Sequence, residues 1–237
     1  MIEPLFVEYP DAEAMADSLA GHMALTLAEA TEARDIAGLI VSGGSTPKAL
    51  FQRLAKRKLD WEKICITLAD DRWVDADHPA SNEKLVHESL LVDDAKKASF
   101  ISLKTPAKTA VEGAPDVQKR LMDFPWAADL VLLGMGEDGH TASLFPGAEA
   151  LNAVLSPEGT DLCLGLTPKI LPKDAPFERM TLTLPALLDS ARIILMLKGA
   201  GKRHVYDRAM AGTDIYEMPI RAILQQHEVP VEVHWAP

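Results

Sequence analysis

The 237-residue sequence has no apolar run that approaches the ~20 residues needed to cross a bilayer. Its N-terminus also lacks the basic region and apolar stretch of a secretory signal, so we expect a cytoplasmic protein without membrane contact. Basic residues are outnumbered, because 24 Lys and Arg stand against 35 Asp and Glu, for a formal net charge of −11. Nucleic-acid binding needs clustered Lys and Arg, so the composition argues against such a partner. A small anion is not excluded, since backbone dipoles and one or two cations can hold it.

Cysteine is scarce and metal-binding motifs are missing. Cys65 and Cys163 each lie in an apolar run, so we interpret them as buried thiols, and a disulfide is not expected in a reducing compartment. The histidines are scattered, and no pair has HExxH or Cys/His ligand spacing, so no metal site is expected. The GK[ST] ending of a P-loop and the GxGxxG dinucleotide fingerprint are absent too.

What is present is an alternation of short apolar runs with amphipathic stretches. Strands are predicted at 36–41, 64–69, 129–133, 162–166, 180–184, 192–197 and 231–235, the last as an edge strand. Helices are predicted at 11–33, 47–58, 81–91, 116–124, 202–211 and 219–226. Without repeats or a convincing linker, this order predicts a single α/β domain over residues 1–237, with a mainly parallel sheet and helices on both faces. Ligands of such sheets bind beyond the carboxyl ends of the strands.

The loop after the first of these strands, residues 42–47 (SGGSTP), leads directly into a predicted helix. Its two glycines let the backbone approach a ligand, and its hydroxyl and N–H groups can bind a phosphate. The alternative is a tight turn that ends in a helix cap, because Thr46 before Pro47 is good capping chemistry. Both interpretations remain open from the sequence.

An acidic pair followed by arginine comes after the strand at 64–69. Asp70 and Asp71 at the end of a buried strand are costly unless they are paired or used. A local ion pair is one interpretation. In the other, Arg72 binds an anion and one of the two carboxylates orients a base. Ser81 and Asn82 are interpreted as the cap of the next helix.

The segment 134–146, GMGEDGHTASLFP, follows the strand at 129–133. A lone histidine is usually a packing residue, but His140 comes after glycines and acids at a strand end where ligands bind. Asp138 precedes it by two residues, close enough for its carboxylate to fix the tautomer of the imidazole. We interpret this pair as functional. Ser143 does not lie in the GxSxG elbow of a serine hydrolase.

Two further basic residues are candidates for the same edge of the sheet. Lys202 begins a predicted helix after the strand at 192–197 and could reach a phosphate held by the 42–47 loop. A solvated basic turn is the alternative. Arg179 precedes the strand at 180–184, and it either faces solvent or contacts a ligand.

Taken together, these segments resemble the 6-phosphogluconolactonase family. The matching segments, in the family's order, are 42–47, 70–72, 81–82, 134–146, the RxTxT stretch 179–183 and the GxxK turn 199–202. The DGHTASLFP part is long and unusual, which makes the match specific. One departure is Asp71, because the family usually has Glu at that position.

The resemblance implies the Rossmann-like fold of glucosamine-6-phosphate deaminase, ribose-5-phosphate isomerase A and coenzyme A transferases. It also implies hydrolysis of 6-phospho-D-glucono-1,5-lactone to 6-phosphogluconate in the oxidative pentose phosphate pathway, without a cofactor. His140 would be the general base and Asp138 its partner, although Asp70 and Asp71 stay open for that role. The residues expected to bind the phosphorylated lactone are Ser42, Gly43, Gly44, Ser45, Thr46, Asp70, Arg72, Arg179 and Lys202.

Two alternatives from other functional classes remain. A glucosamine-6-phosphate deaminase shares a similar Asp-Gly-His segment, but that family continues differently after the histidine and has Tyr where Arg72 stands here. A non-catalytic sugar-phosphate sensor normally carries a DNA-binding segment, for which this chain has neither room nor charge. For the assembly we expect a monomer or a weak homodimer.

Overall fold

The computed structural model describes residues 3–169 and 176–237. The strands are β1 (Leu5–Glu8), β2 (Ala37–Val41), β3 (Ile64–Leu68), β4 (Asp70–Arg72), β5 (Ser99–Ile101), β6 (Leu130–Leu133), β7 (Cys163–Leu166), β8 (Arg179–Leu182), β9 (Ile193–Lys198) and β10 (Val231–Ala236). The helices are α1 (Ala12–Arg34), α2 (Lys48–Leu54), α3 (Asn82–Ser89), α4 (Ala110–Leu121), α5 (Leu151–Val154), α6 (Leu184–Leu188), α7 (Ala200–Ala211) and α8 (Arg221–Leu224). The domain predicted over 1–237 includes residues 1–2 and 170–175, which lie outside the described residues.

A seven-stranded sheet in the order β1-β10-β9-β6-β2-β3-β5 forms the centre, and all of its strand pairs are parallel. Every residue of β2, β3 and β6 is buried, as expected for strands covered on both faces. The predicted α/β class with a mainly parallel sheet is therefore confirmed.

Helix α1 shows how the apolar pattern becomes packing. Asp11 begins it, because the Asp11 side chain accepts a hydrogen bond from the Ala14 N–H at 2.8 Å. One face carries Met15, Leu19 and Met23 at helical spacing, all with no exposed surface, against strands β2, β6 and β10. Burying each such side chain contributes roughly 1.5–3 kcal/mol to folding.

Strand β10 corrects one prediction from the sequence. Residues 231–235 were expected at a sheet edge, yet β10 lies between β1 and β9. The alternating pattern misled because the polar residues Glu232 and His234 are buried and bound to each other at 3.2 Å. Arg192 also donates to Glu232. One true edge is β1, which the sequence pattern did not predict.

The strands predicted at 162–166 and 180–184 do not belong to the main sheet. They are β7 and β8, and with β4 they form a separate antiparallel sheet in the order β4-β8-β7. Strand β4 was expected as a loop, because its sequence is entirely charged. Its pairing with β8 sets Arg72 opposite Arg179.

Helix α4 begins six residues before the predicted start at 116. A capping box explains this, since Thr109 accepts from the Glu112 N–H while the Glu112 carboxylate accepts from the Thr109 N–H, both at 3.2 Å. Two other predicted helices are shorter than expected. The one at 47–58 covers Lys48–Leu54, and the one at 219–226 covers Arg221–Leu224.

The two cysteines are free and buried, as predicted. Burial raises the pKa of both thiols, and for Cys163 the pKa reaches about 12, so neither is a thiolate near neutral pH. No helix in the described part of the chain is long and apolar enough to span a bilayer.

The capping box gives a testable prediction about stability. Thr109→Ala removes the cap of α4 and should lower the free energy of unfolding by about 1 kcal/mol, or the melting temperature by roughly 2–4 °C. Val111→Ala on the same helix is the matched control, because Val111 is 65% exposed and its loss should not lower the melting temperature. Equal melting temperatures for wild type and Thr109→Ala would contradict the assignment.

Candidate functional site

The predicted functional segments meet at a cavity of about 390 Å³ beyond the carboxyl ends of β2, β6 and β9. Because the strands are parallel, the loops that follow them emerge at the same edge of the sheet. The predicted residues that line the cavity are Ser42, Gly43, Gly44, Ser45, Thr46, Asp70, Arg72, His140, Arg179 and Lys202. Asp138 does not line it and lies behind His140.

The loop after β2 presents unused hydrogen-bonding groups to this cavity. The Ser42 hydroxyl is buried, with 7% of the residue exposed, and has no partner among the described residues. The N–H groups of residues 43–46 likewise donate to no described protein group. Gly44 has a φ of 100°, which an L side chain rarely adopts. No side chain caps α2, so the interpretation of this loop as a helix cap at Thr46 is not supported.

Asn82 forms part of the cavity wall, which the sequence interpretation missed. Ser81 does cap α3, as predicted, by accepting from the Lys84 N–H at 3.2 Å. The Asn82 amide donates to the Asp70 carbonyl at 2.8 Å, and its oxygen accepts from the Arg72 guanidinium. A Cβ at Gly43 would overlap the Asn82 side chain. The position of Asn82 directly after a capping serine was the available sign of its location, but the cap alone explained the pattern.

The two acids of β4 have different environments. Asp70 lines the cavity and accepts from the Ser143 hydroxyl at 2.5 Å. The Asp71 carboxylate instead accepts from the N–H groups of Asn82 at 2.6 Å and Glu83 at 3.1 Å at the start of α3. Neither carboxylate has a hydrogen bond to the His140 ring, so the structure gives no support to either as its orienting acid.

His140 and Asp138 form a hydrogen-bonded pair. The His140 Nδ1–H donates to the Asp138 Oδ1 at 2.5 Å, and the same oxygen accepts from the His140 backbone N–H at 3.1 Å. Burial opposes ionisation of Asp138, but its hydrogen bonds and charge interaction with His140 outweigh burial and lower the pKa of the carboxyl. A proton on Nδ1 leaves Nε2 as the lone-pair nitrogen of the ring. The Phe145 ring packs against the imidazole, with centroids 4.3 Å apart.

The loop that carries this pair is held at several points. The Gly136 N–H donates to the His140 carbonyl at 2.8 Å, and the Thr141 hydroxyl donates to the Gly134 carbonyl at 2.8 Å. From the C-terminal part of the chain, the Ile220 N–H donates to the Gly139 carbonyl at 2.9 Å. The conformation of the loop is therefore fixed by backbone contacts on both sides.

Basic side chains surround the cavity although the protein as a whole is acidic. Arg72, Arg179, Lys198 and Lys202 all line it. The Arg179 side chain is buried and donates to the Phe177 carbonyl at 2.5 Å. Lys198 was not predicted, although its place as the last residue of β9 marks the carboxyl end of a strand. Such a concave cluster of cations focuses positive potential and favours an anionic ligand.

One group of possible metal ligands occurs among the described residues, outside this cavity. Ligand atoms of His22, Glu232 and His234 lie within 4.8 Å of one another. However, Arg192 donates to Glu232, and its Nη1 lies 2.9 Å from the His22 Nε2. A guanidinium therefore already occupies the hydrogen-bonding positions that a cation would need.

Comparisons with known proteins agree with one another. A model of the family described as glucosamine-6-phosphate isomerases/6-phosphogluconolactonase matches residues 10–235. A 6-phosphogluconolactonase of Rhizobium meliloti (strain 1021) is 40% identical over 233 residues, which cover 97% of each sequence. The crystal structure of a 6-phosphogluconolactonase from Shewanella baltica OS155 is similar with a TM-score of 0.95 and 44% identity, covering 100% of both chains. A monomeric glucosamine-6-phosphate deaminase shares the fold, with a TM-score of 0.79 and 18% identity over 97% of each chain.

The close approach of Gly136 to the dyad can be tested directly. A Cβ at this position would overlap the His140 ring, so Gly136→Ala should break the hydrogen bond between Nδ1 and Asp138. In NMR spectra, the Nδ1 proton of His140 should then lose its downfield resonance. Gly201→Ala is the control, because a Cβ there has no neighbour within 4 Å. An unchanged resonance in Gly136→Ala would show that the pair tolerates the methyl group.

Proposed function

The chain belongs to the family of glucosamine-6-phosphate isomerases and 6-phosphogluconolactonases, and we propose that it hydrolyses 6-phospho-D-glucono-1,5-lactone to 6-phospho-D-gluconate. This reaction is the second step of the oxidative pentose phosphate pathway. The observation that carries the proposal is the Asp138–His140 pair, whose imidazole faces a cavity lined by cations. A base and an anion site in one cavity are what hydrolysis of a phosphorylated lactone requires.

The first chemical step is attack of water on the lactone carbonyl. The carbonyl is already electrophilic, so a positioned water and a general base suffice without a covalent nucleophile. His140 Nε2 takes a proton from the water as its oxygen bonds to the carbonyl carbon. Asp138 holds the proton on Nδ1 and stabilises the imidazolium that forms.

The second step is collapse of the tetrahedral intermediate. The bond between the carbonyl carbon and the ring oxygen breaks, and the imidazolium returns its proton to that oxygen. Product is then an open-chain carboxylate with a free hydroxyl. While the intermediate exists, its oxyanion needs hydrogen-bond donors, for which the N–H groups of the glycine loops are the candidates.

Substrate binding is assigned to the remaining lining residues. The 6-phosphate would lie against the 42–46 loop, whose Ser42 hydroxyl and backbone N–H groups have no partner among the described residues. Arg72 and Lys202 would neutralise its charge. The Asp70 carboxylate is placed to accept from a sugar hydroxyl, and Arg179 is the further candidate for phosphate or sugar.

Three related expectations complete the proposal. Residues 1–237 act as one lactonase domain, the reaction takes place in the cytoplasm, and the protein is a monomer or a weak homodimer. Deamination of glucosamine 6-phosphate is the rival activity, and assays of both substrates separate the two. Lactone turnover without release of ammonia from the amino sugar is the result expected here.

The central experiment is His140→Ala. Loss of the base should lower kcat by about 10²–10⁴-fold, the usual worth of general acid–base catalysis, with little change in product affinity. In the wild type, kcat should also fall when the pH is lowered far enough to protonate the imidazole. Uncatalysed opening of the lactone grows at high pH and must be subtracted at each point.

His204→Ala is the matched control for this experiment. His204 lies on α7, is exposed and does not line the cavity, so its loss should leave kcat unchanged. A folded His140→Ala protein that hydrolyses the lactone at a near wild-type rate would refute the assignment of the base. Asp70 or Asp138 acting directly on water would then be tested next.

Phosphate recognition is tested with Lys202→Ala. Loss of one charge-assisted contact should raise KM by roughly ten- to a hundred-fold with little change in kcat. Glucono-1,5-lactone, which has no phosphate, should show no such difference between the variant and wild type. Lys119→Ala is the control, since Lys119 is exposed on α4 and contacts only Asp116. An unchanged KM for the phosphorylated lactone would remove Lys202 from the phosphate site.

A further inference from the structure

We propose that Asp71 is a positioning residue, whose buried carboxylate joins β4 to the start of α3 and so fixes Arg72 and Asn82 in the cavity wall. It does not line the cavity itself. The inference rests on the proposed function, because it takes Arg72 to be a phosphate ligand. It adds a residue that acts on substrate affinity without touching the substrate.

Four donors converge on the Asp71 carboxylate. Oδ1 accepts from the N–H groups of Arg72 at 2.7 Å and Asn82 at 2.6 Å. Oδ2 accepts from the Ser81 hydroxyl and the Glu83 N–H, both at 3.1 Å. Only an ionised carboxylate offers an acceptor to every one of these groups. The residue is 4% exposed, so water cannot replace a lost partner without entering the protein.

The groups held by Asp71 are those that shape the cavity. Its hydrogen bonds fix the backbone of Arg72 and Asn82, and the side chains of these two residues then bind each other. Asn82 also packs on Gly43 in the loop assigned to the phosphate. Movement at Asp71 would therefore displace a cation and the loop it faces, but not the Asp138–His140 pair.

The charges around Asp71 make its ionisation sensitive to pH. Burial raises the pKa of Asp71 to about 6, and the neighbouring charge of Asp70 raises it further, while the hydrogen bonds from α3 and Arg72 oppose this. Glu83 is the acidic group on α3, and the residue opposite Asp71 on β8 is the uncharged Met180. When the pH falls through about 6, Asp71 gains a proton and one of its oxygens stops accepting. Arg72 and Asn82 then lose part of their support.

The test is Asp71→Asn, with KM and kcat for the phosphorylated lactone measured between pH 5 and pH 8 (roughly the range around the pKa of Asp71). The amide keeps the shape but opposes two N–H donors with its own NH₂ group. At the upper end of the range KM should rise by about tenfold, with kcat within about twofold of wild type. Towards the lower end, the wild-type KM should approach that of the variant.

The substrate phosphate titrates near the same pH, with a second pKa of about 6. That titration gives both proteins the same slope, so the difference between the two KM profiles isolates Asp71. Parallel profiles, an unchanged KM, or a loss in kcat as large as the loss in kcat/KM would each overturn the proposal. A wild-type protein that does not hydrolyse the lactone would instead refute the proposed function.

Ser81→Ala separates positioning from helix stability. It removes the cap of α3 and one donor to Asp71, but it leaves the three backbone N–H donors in place. Its KM should stay within about threefold of wild type even if the melting temperature falls. An increase in KM as large as that of Asp71→Asn would assign the effect to α3 stability and overturn the proposal.

Asp71→Glu keeps the experiment decisive if Asp71→Asn does not fold. Glu retains the carboxylate and is the residue that the resemblance leads one to expect at this position. Its KM at the upper end of the pH range should be within a few-fold of wild type, and the increase in KM at low pH should remain. A folded Asp71→Glu protein whose KM profile is flat from wild-type values would contradict the role of an ionised acid here.

Discussion

The direction of the central strands is the constraint on which the site depends. In a parallel sheet the carboxyl ends of all strands lie at one edge, and here the loops after β2, β6 and β9 bring their polar groups together there. The strands themselves are almost wholly buried, so they cannot carry solvated side chains. Chemistry is therefore confined to the loops, and packing of the apolar runs fixes where each loop begins.

This division explains what could be predicted from the sequence. The fold class followed from apolar runs and from the spacing of Met15, Leu19 and Met23, because burial on both faces leaves a direct trace in composition. The functional loops were found because glycine, acid and base occur together after strands. Asp138 and His140 could be paired since they are two residues apart, so no long-range contact was needed to bring them together.

What could not be predicted depends on contacts between distant segments. Glu232 and His234 looked like the outward residues of an edge strand, but partners from elsewhere in the chain allow them to be buried. The charged β4 became a strand only because β8 pairs with it. Asn82 is placed in the cavity by its contacts with Asp70 and Arg72, and the sequence around it shows only a helix cap.

The burial of Asp71 also has a consequence for folding energetics. Its pKa is raised from 3.8 to about 6, so between these values the folded state holds the proton more tightly than the unfolded chain does. Raising the pH through this range therefore lowers the free energy of unfolding, by about 3 kcal/mol at most for this group. Near neutral pH the protein thus gives up stability to keep this carboxylate ionised. That is a trade-off between stability and activity at a residue that lies outside the cavity.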